Sequence, residues 1–137
     1  MSGKAPTTAA LVWDGDLRFS ATSGGARLLI DSDGLAGPSP MQALACALAG
    51  CMGIDLVHIL TKGRHPVTSV RATLVGHRAQ DDPYRFLRIE LTFTIGGAVS
   101  EDAMLRAVAL SREKYCSVWH SMRQDIEFDV SCRPAEK

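Results

Sequence analysis

The sequence is poor in aromatic residues and carries no net charge. Aromatic residues make up 6% of its 137 residues, and 15 basic side chains balance 15 acidic ones. Nucleic-acid-binding domains usually have a basic excess, so the balance argues against a nucleic-acid partner. Hydrophobic residues still make up 46% of the chain. We therefore expect a single domain over residues 1–137, with a core built mainly from Leu, Val, Ile and Ala.

Cysteine is also scarce. Four cysteines, without regular spacing, are too few for a disulfide-dense secreted scaffold. The polar N-terminal stretch shows no signal-peptide pattern. We therefore expect a cytoplasmic protein with free thiols, in which any disulfide is transient or catalytic.

The pattern of apolar residues predicts strands at both ends of the chain. A hairpin turn at Asp14-Gly15-Asp16 and alternation in Leu87–Ile95 are the clearest β signals. Predicted strands lie at Ala9–Val12, Leu17–Phe19, Arg27–Asp31, Val67–His77, Leu87–Ile95 and Ile126–Arg133. With helices between them, this order predicts an α+β fold in which one sheet packs against helices.

A long apolar helix is predicted from Pro40 to Thr61. Ser39 fits the N-cap, Pro40 the first helical position, and Gln42 the partner position of a capping box. The helix approaches the length of a membrane span. An ionisable Asp55 is costly in lipid, so we favour a helix buried in protein on every side. So small a domain would struggle to cover such a helix alone, which predicts a partner subunit.

Three polar or reactive side chains share one face of this helix. Cys51, Asp55 and His58 fall within about 60° of each other on an ideal helix. The neighbouring Gly50 and Gly53 allow a ligand or another backbone to approach closely. A simpler alternative is that Asp55 and His58 only hydrogen-bond each other or a neighbouring strand.

Cys116 is the second candidate reactive cysteine. It lies at a predicted helix break, near backbone N–H groups and the basic side chains of Arg112 and Lys114, which favours a thiolate. Zinc coordination by Cys51, His58, Cys116 and His120 is an alternative, but no Cys-x-x-Cys or His-x-x-x-His pair supports it. The apolar surroundings of Cys46 and Cys132 predict that these two cysteines have packing roles.

Several strings of this sequence resemble the OsmC/Ohr family, most closely its YhfA-like branch. They are Pro38-Ser39-Pro40-Met41, Ala49-Gly50-Cys51, Ile54-Asp55, the residues 60–64 and the residues 110–118 around Glu113-Lys114-Tyr115-Cys116. The resemblance covers nearly the whole chain. It implies antiparallel sheets packed around long central helices in an intertwined homodimer, with active sites at the interface.

The resemblance also implies a function. Family members reduce organic hydroperoxides with two cysteines, and Cys51 matches the peroxidatic position and Cys116 the resolving one. The implied reductant is an external dithiol or a lipoylated protein. No bound cofactor, metal, nucleic acid or membrane partner is expected.

The chain departs from the family at the Arg–Glu pair that activates the first cysteine. The glutamate position holds Gln42, about 13 Å along the helix axis from Cys51. The nearest candidate arginine is Arg27. This departure leaves open an alternative, a small-ligand-binding or redox-sensing protein without peroxidase activity. A third possibility is a protein whose two cysteines are buried and inert.

Overall fold

The computed structural model describes residues 3–136, and the chain divides into two compact units, Met1–Leu44 and Ala45–Lys137. The elements, in chain order, confirm the α+β class. They are β1 (Ala10–Trp13), β2 (Arg18–Ser23), β3 (Ala26–Asp31), α1 (Pro40–Lys62), β4 (Val67–Arg78), β5 (Phe86–Gly97), α2 (Glu101–Leu110), a π-helical turn (Ser111–Tyr115), α3 (Ser117–His120) and β6 (Glu127–Pro134).

The first unit contains a three-stranded antiparallel meander. Strand β2 lies between β1 and β3, and Trp13 faces Phe19 across the predicted hairpin. The buried Asp31 at the end of β3 accepts hydrogen bonds from the N–H groups of Ala36 (2.9 Å) and Asp33 (3.1 Å) and from Arg18 Nε (3.2 Å). These donors, Ala36 first, lower the pKa of Asp31 and hold the loop that leads to the long helix.

Helix α1 begins at the predicted capping box. The N–H of Ser39 donates to Gln42 Oε1 at 2.9 Å, and the N–H of Gln42 donates to Ser39 Oγ at 3.2 Å. The helix then runs for 23 residues to Lys62. Gln42 therefore satisfies backbone groups at the helix start, as the sequence predicts.

Helix α1 buries one stripe rather than its whole circumference. Leu48, Met52, Leu56 and Leu60 recur every four residues and are buried, and each contributes roughly 2 kcal/mol of hydrophobic stabilisation. By contrast, Ile54 is 72% exposed. The expectation of burial on every side is therefore not met within one chain. In the described residues, α1 is also the one helix long and apolar enough to cross a membrane, a test that core helices of other proteins also pass.

The second unit contains another three-stranded sheet, with the order β4-β5-β6. The described strands therefore form two sheets, which corrects the expectation of one sheet packed against helices. The polar face of the β4-β5-β6 sheet carries Arg88, Glu90 and Thr92, and its apolar face carries Ile89, Leu91 and Phe93. Strands β4 and β5 are antiparallel, but β6 pairs with β5 in parallel. The expectation of purely antiparallel sheets therefore needs correction, because the chain crosses over through α2 before β6 returns in the direction of β5.

The start of β5 differs from the predicted alternation. Leu87 is exposed and Phe86 is buried, next to an irregularity in the pairing at His77 and Arg78. The ring of Phe86 occupies the space that a side chain at Gly76 would fill. Because Phe86 packs into this space on the neighbouring strand, Phe86 is buried and Leu87 is exposed, the reverse of what the pattern of β5 alone predicts.

Helix α2 buries a stripe of four residues. Ser100 caps it by accepting the N–H of Ala103 at 3.1 Å. Met104 and Val108 are buried, whereas Leu105 and Ala109 are exposed. Ala103 and Ala107 complete the buried stripe, so these small residues face the core.

Candidate functional site

Helix α1 brings Cys51, Asp55 and His58 to one side of the buried stripe. Cys51 and Asp55 are half-buried, whereas His58 is exposed. Met52 directly follows Cys51, and Leu56 directly follows Asp55. Because Met52 and Leu56 are buried, they fix the rotation of the helix about its axis. The predicted common face of these three residues therefore follows from the helical register.

Cys116 lies where the π-helical turn ends. Its N–H donates to the carbonyl oxygen of Ser111 at 2.7 Å, which closes a turn with five-residue spacing. The backbone then leaves the helical region at Cys116, with φ −73° and ψ 95°. The predicted helix break is therefore present. It places the Cys116 side chain in the interior, with no exposed surface.

Asp55 hydrogen-bonds to the π-helical turn. Ser111 Oγ donates to Asp55 Oδ2 at 2.7 Å. This contact replaces the bond between Asp55 and His58 that the sequence left open. Ser111 is fully buried and was not among the predicted site residues. The signal for it was the α2 stripe, which extends by a further turn from Val108 to Ser111.

The Cys51 and Cys116 side chains are near enough to each other for Cys51 to affect the pKa of the Cys116 thiol. The pKa of Cys116 is raised to about 11, mainly by burial. The nearby Cys51 and Asp55 side chains contribute to this rise, while the N–H of Trp119 acts in the opposite direction. The expectation that Cys116 is a thiolate is therefore wrong. One backbone N–H at its sulfur does not offset the loss of solvent around the charged form.

This arrangement distinguishes the two thiols chemically. Cys116 keeps its proton at neutral pH and can donate its S–H to the sulfur of Cys51. Cys51 is the more accessible of the two. Two neighbouring thiols of unequal exposure can undergo an ordered oxidation, in which the accessible sulfur reacts first and the buried one second.

Two cavities of the second unit border this part of α1. A mainly apolar cavity of about 620 Å³ lies between α1 and strands β4 and β5, and its walls include Gly50, Gly53, Ile54, Val70 and Phe93. A cavity of about 470 Å³ is lined by Asp55, His58, Lys62, Leu110 and Tyr115, among others. His58 borders both cavities. A small molecule with an apolar body can therefore approach this face of the helix.

Arg27 and Gln42 belong to the first unit. Arg27 is exposed on β3, opposite Thr22 in the sheet register. Gln42 is held in the capping box. Neither environment supplies an Arg–carboxylate pair, because Gln42 is uncharged and its side-chain oxygen already accepts a backbone N–H.

The other cysteines have different surroundings. Cys132 is half-buried on β6, and burial raises its pKa, in keeping with the predicted packing role. Cys46 is exposed, which corrects its expected burial, because it lies outside the buried stripe of α1. Within residues 3–136, no three His, Cys, Asp or Glu side chains are grouped so that they could hold a metal ion. The zinc alternative thus has no supporting geometry.

Comparisons with known proteins agree with this architecture. Residues 31–131 match the family model described as OsmC-like protein. Protein YhfA of Escherichia coli K12 is 41% identical over 109 residues, which cover 77% of this chain and 81% of YhfA. A hypothetical protein from Aquifex aeolicus superimposes with a TM-score of 0.89 at 28% identity, covering 98% of this chain and all of that one.

A more distant structure carries a functional description. An organic hydroperoxide resistance protein from Elizabethkingia anophelis has a TM-score of 0.72 at 17% identity, and the match covers 98% of this chain and all of that one. At this identity the likeness concerns the fold alone.

Proposed function

The chain belongs to the OsmC-like protein family, and on that premise we propose that it is a thiol-dependent peroxidase that reduces organic hydroperoxides in antioxidant defence. The supporting observation is that Cys51 on α1 lies near Cys116, which follows the π-helical turn, and that Cys51 is the more accessible of the two. In this proposal Cys51 is the peroxidatic residue and Cys116 the resolving one. The apolar walls of the neighbouring cavity suit the organic part of a hydroperoxide.

The proposed cycle has three steps. The Cys51 thiolate attacks the O–O bond, which breaks to leave a sulfenic acid on Cys51 and, after protonation, an alcohol. The Cys116 sulfur then displaces the hydroxyl group as water, and a disulfide forms. An external dithiol, either a small molecule or a lipoylated protein, reduces the disulfide by exchange and becomes oxidised itself. No bound cofactor takes part.

Asp55 and His58 are the proposed tuning residues of Cys51. Asp55 lies one helical turn beyond it, and His58 is exposed at the border of both cavities. Arg27 and Gln42 are weaker candidates, because Arg27 is exposed on β3 and Gln42 is engaged in the capping box. A cytoplasmic location remains the prediction made from the sequence.

We further propose that the protein works as a homodimer. Residues of α1 outside its buried stripe, such as Ile54 and Val57, are apolar and exposed in the single chain. Leu11, Val12 and Trp13 of β1 are exposed as well. A second copy of the chain would remove these apolar side chains from water.

The proposed function can be tested with purified protein in a stopped-flow assay with cumene hydroperoxide and dihydrolipoamide. The wild type is expected to turn over, and Cys51→Ser is expected to lose all turnover above the uncatalysed rate, because the nucleophile is gone. Cys46→Ser is the matched control, since Cys46 lies on the same helix but is exposed away from the site. Turnover that survives Cys51→Ser would disprove the assignment.

The second candidate function is redox sensing or small-ligand binding without peroxidase turnover. It is favoured by Gln42, which places an uncharged amide at the family's glutamate position and is held in the capping box. Intact mass after one equivalent of hydroperoxide separates ligand binding from thiol oxidation, and turnover with dihydrolipoamide separates a peroxidase from a redox sensor. Rapid loss of two hydrogens per chain supports the disulfide cycle. An unchanged mass with slow loss of peroxide supports ligand binding.

A further inference from the structure

The fully buried Ser111 connects the two segments that carry the cysteines. Its hydroxyl donates to Asp55 Oδ2 at 2.7 Å, and its carbonyl oxygen accepts the N–H of Cys116, also at 2.7 Å. Asp55 lies one helical turn after Cys51. One serine therefore joins the helix of Cys51 to the backbone of Cys116 through two short hydrogen bonds.

The π-helical turn also contacts β6 and α3. The Arg112 guanidinium lies 5.0 Å from the ring centre of Phe128 on β6, and the Arg112 carbonyl oxygen accepts a hydrogen bond from His120 Nε2 at 2.9 Å. These contacts attach the turn to β6 and α3. The bond from Ser111 to Asp55 attaches it to α1, the helix that carries Cys51. Isolated π-helical turns are rare and are often found at functional sites.

We propose that Ser111 and Asp55 are positioning residues that hold Cys116 against Cys51, so that disulfide closure outpaces a second oxidation of Cys51. In closure, the Cys51 sulfenic acid and the Cys116 thiol form a disulfide and release water. In the competing reaction, the sulfenic acid takes an oxygen atom from a second hydroperoxide, giving a sulfinic acid and an alcohol. The biological use of this pair rests on the proposed peroxidase function, whereas its geometry does not.

Closure can be measured by rapid acid quench and intact mass, with two oxidants in parallel. Cumene hydroperoxide tests closure within the proposed cycle. Diamide accepts two electrons and two protons from the thiol pair and becomes a hydrazine, so it requires no peroxidase activity. The variants are Ser111→Ala and Ser111→Thr, with Ser121→Ala as the matched control. Ser121 is exposed, and its hydroxyl donates to the carbonyl oxygen of Ser117 at 2.8 Å.

Ser111→Ala is expected to close about tenfold more slowly than wild type with both oxidants, because the reacting sulfurs lose their alignment. With excess hydroperoxide it is expected to accumulate sulfinic acid. Ser111→Thr, which restores the hydroxyl, and Ser121→Ala are expected to close at the wild-type rate. The inference is overturned if Ser111→Ala closes as fast as wild type, or if Ser121→Ala slows closure equally.

Substitutions at Asp55 provide a second test that leaves the buried serine intact. Asp55→Asn keeps an acceptor oxygen and is expected to close faster than Asp55→Ala, whereas Asp55→Ala is expected to be as slow as Ser111→Ala. Equal rates for the two Asp55 variants would overturn the inference. If wild type closes with diamide but not with hydroperoxide, the peroxidase proposal fails, and the diamide series still decides the roles of Ser111 and Asp55.

Discussion

At the residue scale, burial distinguishes Cys51 from Cys116. Cys116 has no exposed surface, and its burial favours the neutral thiol. Cys51 is half-buried beside Gly50, which leaves open space on that side of the helix. An oxidant arriving from solvent therefore meets Cys51 first, and Cys116 becomes reactive only toward a partner that is already in contact with it.

The raised pKa of Cys116 predicts slow alkylation of this residue in the folded protein. At pH 8 a pKa of about 11 leaves only a small thiolate fraction, and the thiolate is the species that reacts with iodoacetamide. We expect the rate at Cys116 to rise about tenfold per pH unit up to roughly pH 11, since each unit raises the thiolate fraction tenfold. Peptide mass spectrometry after timed labelling measures the rate.

Unfolded protein in denaturant provides the control for this measurement, because its Cys116 is solvated and is expected to react much faster at pH 8. Rapid labelling of Cys116 in the native protein at pH 8, at the rate of the unfolded chain, would contradict the burial that distinguishes the two cysteines.

At the element scale, the helical repeat of α1 determines which residues share a face with Cys51. The reciprocal bonds between Ser39 and Gln42 fix the first turn, and every later position follows from the helical repeat. The π-helical turn has the corresponding role for the second cysteine, because it begins at Ser111 and is followed directly by Cys116.

Removal of the capping box is expected to reduce stability. Ser39→Ala loses the acceptor for the N–H of Gln42 and is expected to lower the free energy of unfolding by about 1 kcal/mol. Urea denaturation followed by circular dichroism measures this change. Ser32→Ala, at an exposed position of the same loop, is the matched control and is expected to change stability by less than about 0.5 kcal/mol. An equal loss in both variants would contradict the capping role.

Local patterns explain why some of these elements could be predicted from the sequence. The capping box at Ser39 and the hairpin at Asp14-Gly15-Asp16 depend on neighbours only three or four residues away. The burial of Phe86 could not be predicted, because it depends on space at Gly76 in the adjacent strand. The parallel pairing of β6 likewise depends on the path of the whole crossover.

The same reasoning applies to the candidate site. The common face of Cys51, Asp55 and His58 follows from helical spacing alone. The bond between Ser111 and Asp55 joins residues 56 positions apart, and the burial of Cys116 depends on the packing of the π-helical turn. Such long-range contacts are absent from local sequence patterns. For this reason the charge state of Cys116 was predicted wrongly from its immediate neighbours.

At the scale of the whole molecule, the chain leaves much apolar surface in contact with water. Of the residues in the most apolar 18-residue stretch of α1, only 22% are buried within the single chain. Trp13 on β1 is 65% exposed. A protein of this size buries only about two-thirds of the surface of its unfolded chain, so association is the usual way to cover such residues.

A charge placed on the exposed side of α1 is therefore expected to prevent dimer formation. Ile54→Asp would bury an unpaired carboxylate in the proposed interface, and we expect a monomer at concentrations where the wild type is a dimer, with much lower peroxidase turnover. Size-exclusion chromatography with light scattering measures the mass. Thr92→Asp, on the polar face of the β4-β5-β6 sheet, is the control and is expected to remain dimeric. A wild type that is monomeric at micromolar concentration, or an Ile54→Asp variant that still dimerises, would show that this face of α1 is not the contact between subunits.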